Sequence, residues 1–343
     1  MVRTYREAGV DVEEGRRAVQ MISAAAASTT NAAVLGGVGG FAGLLRFDPR
    51  AYRQPVLVAS TDPIGTKLLV AIGLRRYDSI GIDLVNQNLN DIAVVGADPL
   101  FFLDYLAVGH LEADVAARIV GGISAACAAA GMPLIGGETA EMPDLYREGD
   151  FDLSGFVVGV VAHKDLIDGS KVKAGDALIG LPSSGLHTNG YTLVRRLFPP
   201  DTWASTLPGL ERPLGDELLE PHRSYLDDLR AMRRALRGHR GDLLAAAHIT
   251  GGGWVENIPR TLPPGLGVEV ETGSWPVPRI FTLVQQRGDI SDQEMVRTFN
   301  LGIGVTCVVR SRQTDVALSA VPDACMVGRV VETAPDEPRV RFA

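Results

Sequence analysis

Lysine is almost missing from this 343-residue chain, with four against 29 arginines, and only Lys67 precedes position 164. Clusters of cations able to neutralise a polyanion are missing too: the net charge is -8 and the isoelectric point about 5.3, which excludes a nucleic-acid binder that works by phosphate neutralisation. The run Arg230, Arg233, Arg234, Arg237, Arg240 reads as the solvated face of one helix. Cysteine is scarce as well. Cys127, Cys307 and Cys325 lie far apart with no CxxC pair, so neither a disulfide framework nor a structural zinc site is expected, and a reducing compartment is. Long apolar runs are absent. Residues 18–45 contain no Asp, Glu, Lys or Arg, but Gln20, Ser23, Ser28, Thr29, Thr30, Asn31 and several glycines interrupt them, short of the ~20 consecutive apolar residues of a membrane span. Residues 1–7 do not lead into the apolar core of a signal peptide. A cytoplasmic protein with no membrane or nucleic-acid partner is expected.

What is present fits a folded chain: 46% hydrophobic and 22% charged residues, in a length that exceeds one ordinary core and suits two domains of roughly 150 to 200 residues. Strand-like segments at 55–59, 100–108, 133–135 and 151–161 alternate with helix-like ones at 83–95 and 113–130, the second closed by Gly131. Asp, Lys, Gly and Ser displace apolar residues over 162–175, which sets the domains at 1–168 and 169–343. Beyond that boundary the style restarts, with a strand at 176–181, a Gly/Ser loop at 183–191, a helix from Thr192, a Pro-rich excursion over 199–216 and a second Gly-rich turn at 248–254. The fold class expected is α/β (α+β), in two domains.

The chemistry-bearing residues recur in loops. Ser60-Thr61-Asp62-Pro63-Ile64-Gly65-Thr66-Lys67 follows an apolar strand and offers a carboxylate, a tight turn, a hydroxyl and a mobile cation together. Gly36-Gly37-Val38-Gly39-Gly40-Phe41, Asn90-Asp91, Gly136-Gly137-Glu138-Thr139-Ala140-Glu141 and Ser183-Ser184-Gly185-Leu186-His187-Thr188-Asn189-Gly190-Tyr191 complete the set. Glycine lets backbone N–H groups approach phosphate oxygens, although no segment matches GxxxxGK[ST] or GxGxxG. Asp62, Asp91 and Glu138 lie beside apolar segments where an unpaired carboxylate is costly, and magnesium, which bridges carboxylates to phosphates, would offset that cost. His187, in the Ser/Gly loop, and His248, before Thr250-Gly251-Gly252-Gly253, are the candidates for moving a proton; His110, His163, His222 and His239 read as surface residues.

Together with Tyr5-Arg6-Glu7-Ala8-Gly9-Val10-Asp11, Ile80-Gly81-Ile82-Asp83-Leu84-Val85, Pro99-Leu100-Phe101-Phe102-Leu103-Asp104-Tyr105 and Glu256-Asn257-Ile258-Pro259, these segments make the chain similar, nearly end to end, to the phosphoribosylformylglycinamidine cyclo-ligase (aminoimidazole ribonucleotide synthetase) family. The resemblance implies an N-terminal domain whose strands build a dimer-interface barrel, a C-terminal α/β domain, and an ATP- and Mg2+-dependent ring closure in purine biosynthesis on a small ribonucleotide-like substrate. It implies an ATP site at Gly37, Gly39, Gly40, Gly65, Thr66, Lys67, Asn90 and Glu141, magnesium at Asp62, Asp91 and Glu138, and a substrate-phosphate loop at Ser183, Ser184, Gly185, Thr188 and Asn189. Lys67, His187 and His248 take the catalytic roles, in a homodimer.

Three departures fall in the nucleotide half. The basic run that typically precedes Gly36 is replaced by Ser23-Ala24-Ala25-Ala26-Ala27-Ser28-Thr29-Thr30-Asn31, leaving Arg17 or Arg46 to compensate. Asp-Gly-Val-Gly-Thr-Lys becomes Asp62-Pro63-Ile64-Gly65-Thr66-Lys67, and Asn86-Gln87-Asn88-Leu89 stands where an Ala-Met-Cys-type run is usual. Two alternatives stay open: a divergent paralogue using the same amide activation on another substrate in specialised, nucleoside-type metabolism, and a non-catalytic nucleotide-binding homologue.

Overall fold

The computed structural model describes Thr4, Tyr5, Glu7, residues 9–36 and residues 39–343; Gly37, expected at the nucleotide, lies outside the described residues, as do Arg6, Ala8 and Val38. The chain divides into two compact units, Met1–Ile92 with Ala97–Lys164, and Ala93–Gly96 with Asp165–Ala343.

The N-terminal unit holds helix α1 (Val12–Ala27), strand β1 (Pro55–Pro63), helices α2 (Leu68–Leu74) and α3 (Asp78–Ala93), strand β2 (Asp98–Val108), helix α4 (Ala113–Ala129) and strands β3 (Leu134–Glu141) and β4 (Phe151–Ala162). The sheet order is β1-β4-β2-β3, with β4 antiparallel to both neighbours and β2 parallel to β3. Ile80, Leu84, Val85, Leu89 and Ile92 recur at helical spacing on α3 and are buried, as are Ala116, Ile119, Val120, Ile123 and Cys127 on α4. Burying each of the larger of these side chains contributes about 1.5–3 kcal/mol. Part of the sheet stays open: Leu57 is 65% and Phe156 40% exposed. Asp11 caps α1, its carboxylate accepting from the Glu13 and Glu14 N–H groups.

Two expected loops are strands. Asp62 and Pro63 continue β1, whose edge position tolerates a proline, and 136–141 continue β3 through parallel pairing of Leu103 to Val108 with Gly136 to Glu141. Helix α3 starts five residues before the expected Asp83 and contains Asn90 and Asp91.

The C-terminal unit runs β5 (Ala177–Pro182), α5 (Tyr191–Leu197), α6 (Leu214–Leu218), α7 (Leu226–Gly238), β6 (Ala245–His248), α8 (Gly253–Asn257), β7 (Leu266–Val270), α9 (Arg279–Gly288), α10 (Asp292–Thr298), β8 (Ile303–Val309), α11 (Thr314–Ala320), β9 (Cys325–Glu332) and β10 (Val340–Phe342). Its sheet order is β10-β7-β9-β5-β8-β6. Because β8 lies antiparallel between β5 and β6, the outgoing ends of β5 and β6, at Pro182 and His248, flank the incoming end of β8 at Ile303 and Val305. The loops that follow β5 and β6 therefore emerge at one end of the sheet. The arginine face of α7 is not wholly solvated: Arg233 and Arg237 bind Asp242, and Arg237 also binds Asp165.

Candidate active site

In the N-terminal unit, Asp83, Gln87 and Asp91 are spaced four apart on α3, so they line one face of the helix and meet the outgoing end of β1 in reverse order. Ser60 Oγ donates to Asp91 Oδ2 at 2.9 Å, Gln87 Nε2 donates to Asp62 Oδ2 at 2.5 Å, and Lys67 Nζ lies 2.9 Å from the Asp83 carboxylate. Asn88 Nδ2 adds a bond to the Asp62 carbonyl. A side chain at Gly155, opposite Asp62 on β4, would meet Asn88 Nδ2 at 2.9 Å and the Phe102 ring at 2.5 Å, so glycine there lets helix and strand close up. Gln87 and Asn88 thus hold Asp62 directly. Lys67 was expected as a mobile cation at the loop tip. It is instead fully buried against Asp83, a partner not apparent from the sequence.

The expected magnesium set does not assemble within one chain. Asp62 and Glu138 sit on the two edge strands with β4 and β2 between them, about 14 Å apart at ~4.8 Å per strand, whereas ligands on one magnesium lie within about 4 Å of each other. Asp62 and Asp91 remain together at the β1 edge. Glu141, expected at the nucleotide, is engaged within the fold. Its carboxylate accepts from the Asp11 N–H at 2.9 Å and the Leu111 N–H at 2.8 Å, with His110 Nδ1 3.1 Å away. Arg17 is engaged as well, its Nη2 donating to both carboxylate oxygens of Asp114, at 2.8 and 2.9 Å.

At the opposite edge lies a cavity of about 1040 Å³, bounded by Ser23 and Ala26 of α1, Gly39, Gly40, and Asp104, Glu138 and Thr139 of the sheet. Asp104 is buried, and burial pushes its carboxyl up to about 7. It also pushes the neighbouring Cys127 thiol up, with the Asp104 charge adding to the effect.

In the C-terminal unit the end of the sheet gathers three imidazoles. His187 Nε2 accepts from the Ser184 N–H at 3.2 Å, its ring stacks on His222 with centroids 3.9 Å apart, and His222 Nε2 lies 3.0 Å from His248 Nε2. All three are buried. His222 is therefore no surface residue: Pro221 accepts from Ser184 Oγ at 2.6 Å and so ties the segment to the Ser/Gly loop. His187 adopts φ +62°, a left-handed conformation uncommon outside glycine and a form of strain that recurs at functional sites. Gly304 on β8 makes room, since a Cβ there would meet Tyr225 Oη at 2.1 Å and His187 Cε1 at 2.6 Å.

In the loop expected at the substrate phosphate, both serines are engaged within the fold. Ser183 Oγ is 3.0 Å from both the Gly185 carbonyl and Asn300 Oδ1, Ser184 Oγ donates to Pro221, and both serine N–H groups are also taken. The buried Asn189 Nδ2 has no partner among the described residues, which suits it to a ligand. Thr188 Oγ1 lies 3.4 Å from His222 Nδ1.

Residues 24–161 match the family described as AIR synthase related protein, N-terminal domain, and residues 173–341 its C-terminal domain. The chain belongs to the AIR synthase related family. It is 49% identical over 327 residues to a phosphoribosylformylglycinamidine cyclo-ligase of Desulfitobacterium hafniense, covering 94% of this chain and 95% of the relative. It is equally identical over 343 residues to one of Nitrosococcus oceani, covering 99% and 94%. Among solved structures it shares its fold with a thiamine-monophosphate kinase from Stenotrophomonas maltophilia (TM-score 0.65, 20% identity, 95% of each chain) and with HypE of E. coli (TM-score 0.66, 17% identity, 94% of this chain and 93% of that one). No helix among the described residues is long and apolar enough to cross a membrane.

Proposed function

We propose that this chain is an ATP-dependent ligase of purine biosynthesis that closes the imidazole ring of aminoimidazole ribonucleotide from formylglycinamidine ribonucleotide. The observation that carries the reading is the near end-to-end identity of 49% with relatives named for that activity. The formyl amide oxygen attacks the γ-phosphorus of ATP and ADP leaves. The amidine nitrogen then attacks the formyl carbon, the carbon–oxygen bond breaks, and that oxygen departs with inorganic phosphate. The attacking nitrogen must give up a proton, and His248 or His187 would take it at the end of the C-terminal sheet.

Asp62 and Asp91 fit magnesium in its usual manner, one or two carboxylates completed by phosphates, and the ion would offset charge on the transferred group. Glu138 with Gly39 and Gly40 lies at the opposite sheet edge. A homodimer through the open face around Leu57 and Phe156 would let a second copy complete the nucleotide site. Asn189, Thr188 and Gly185 are the better candidates in the substrate-phosphate loop, since the donors of Ser183 and Ser184 are already engaged inside the fold. The paralogue reading draws on Gln87 and Asn88, which hold Asp62 with contacts an apolar run cannot make.

Purified protein given ATP, magnesium and formylglycinamidine ribonucleotide should form ADP and aminoimidazole ribonucleotide in equal amounts. No product with this substrate, alongside ADP release with a related amide, would transfer the assignment to a paralogue. No ADP with any amide would make the chain a binding protein.

A further inference from the structure

The turn that leads into β8 is strained and firmly held. Leu301 adopts φ +52°, a left-handed conformation that a leucine takes only at a cost. Gly302 follows at φ +96°, where a Cβ would meet Pro278 Cδ at 2.5 Å. Two indoles hold the turn: Trp254 and Trp275 stack with centroids 5.1 Å apart, and their Nε1–H groups donate to consecutive carbonyls, Asn300 at 2.9 Å and Leu301 at 2.8 Å. The Gly302 carbonyl accepts from the Ser183 N–H at 2.8 Å, which joins the turn to the start of the Ser/Gly loop. One side chain of the turn, Asn300, is aimed at that loop.

The Asn300 amide is buried, and its two ends are told apart by what they face. Oδ1 accepts from the Gly302 N–H at 2.8 Å and lies 3.0 Å from Ser183 Oγ, while Nδ2 donates to the Gly185 carbonyl at 2.9 Å. Turned over, the amide would set NH2 against N–H and oxygen against carbonyl oxygen, so one orientation alone is satisfied. The Gly185–Leu186 peptide is trans, and in a trans peptide the C=O and the following N–H point in opposite directions. With the Gly185 carbonyl drawn to Asn300, the Leu186 N–H therefore points away from it. That N–H donates to nothing among the described residues. Three residues on, the buried Asn189 Nδ2 is a second donor without a partner among them. Two unanswered donors in one short loop suit an oxyanion.

We infer that Asn300 is the positioning residue of this loop: by holding the Gly185 carbonyl it presents the Leu186 N–H to a phosphate monoester, which Asn189 Nδ2 also binds. This rests on the reading that the loop takes the substrate's phosphate, but its binding half can be tested without turnover. The experiment is amide NMR of protein carrying nitrogen-15 leucine, titrated with inorganic phosphate, on the parent, Asn300→Ser and Trp254→Phe. In the parent the Leu186 amide proton should move downfield and saturate. Asn300→Ser ends one bond short of where Nδ2 lies, so the shift should vanish and the Kd for phosphate rise about tenfold or more, the effect of one hydrogen bond to a charged group. Trp254→Phe keeps a ring against Trp275 while releasing the Asn300 carbonyl, and should weaken phosphate in the same direction by less. A Leu186 amide that does not respond in the parent would overturn the inference, even if Asn300→Ser fails to fold. A folded Asn300→Ser with the parent's response would overturn it too, and unchanged affinity in Trp254→Phe would overturn the link to the indoles. In turnover, Asn300→Ser should raise KM for formylglycinamidine ribonucleotide about tenfold or more, with kcat and KM for ATP nearly unchanged. A fall in kcat with neither KM altered would reject the positioning role. A parent that shows the Leu186 response yet makes no aminoimidazole ribonucleotide would fail the proposed function and leave the role of Asn300 standing.

Discussion

Beside β1 the N-terminal unit matches polar groups across a seam, Lys67 against Asp83 and Gln87 against Asp62, whereas the C-terminal unit gathers three imidazoles at the end of its sheet. The first arrangement fixes charge in place. A carboxylate and an ammonium withdrawn from water offset their desolvation only while each has the other. The second can move a proton without changing net charge, because imidazole both donates and accepts. The reaction proposed divides along the same line: phosphoryl transfer needs held charge, and ring closure needs a mobile proton.

Removing the held charge should have the largest effect. Lys67→Met removes the ammonium that faces the buried Asp83 carboxylate, and losing one partner of a buried pair costs about 3–5 kcal/mol. Denaturant unfolding should show that loss, and Lys67→Met with Asp83→Leu should recover most of it. Turnover that stays low in the double variant would give Lys67 a role at the phosphates besides its structural one. A single variant as stable as the parent would break the comparison, since the seam would then contribute nothing to stability.

Asp104 puts the contrast on a pH scale. Burial raises its carboxyl from 3.8 to about 7 in the folded protein, so between those values the unfolded chain ionises while the folded one does not. Stability from this group is therefore greatest at low pH and falls as pH rises through that window, by up to about 4 kcal/mol at 1.36 kcal/mol per pH unit. Asp104→Asn should flatten that slope in unfolding curves taken between about pH 4 and pH 8. An equal slope in parent and variant would mean that the carboxyl is not held neutral in the cavity wall.

A smaller effect is expected at Gln87. Replacing it by Met removes a hydrogen bond to a charged group, a loss of about 1.5–3 kcal/mol. Unfolding measures the stability, and magnesium titration of turnover tests whether Asp62 has lost its orientation. Unchanged values in both would show that Asp62 is held by other contacts.

Much of the fold is legible in the sequence because periodicity is local. Apolar spacing, with Gly131 as the stop, places helix α4 to within one residue, and spacing places strand β4 as closely. The misses share a cause in pairing that the chain does not announce. Residues 136–141 look like a loop because glycine punctuates them, yet parallel pairing with β2 makes them a strand. Asp62 and Glu138 look like one metal site until the order β1-β4-β2-β3 puts two strands between them. Asp83 and Gln87 do carry a signal, since with Asp91 they recur at a four-residue period along one face of the helix. His222 has none: between Glu220 and Arg223 it reads as surface, and only the packing of its segment against the Ser/Gly loop buries it beside His187 and His248.

The smallest effect is expected at Arg17, the residue left to stand in for the missing basic run. Arg17 could replace those charges only if its guanidinium were available, but both of its contacts at Asp114 are short and the pair is solvent-exposed. Such pairs are screened and contribute little. Arg17→Ala should therefore leave thermal unfolding unaltered and change ATP affinity, by calorimetry with magnesium, less than about twofold. Ser23 provides the counterpart, because it lines the cavity beside Gly39 and Gly40. Ser23→Lys would return a cation to that wall, and one charge-assisted contact to a phosphate, worth about 1.5–3 kcal/mol, would tighten ATP about tenfold or more. Tighter binding in Ser23→Lys with none lost in Arg17→Ala would locate the phosphates at the cavity edge of the sheet. The reverse pattern would move them towards the first turns of α1 and Asp114 and leave the cavity for some other part of the substrates.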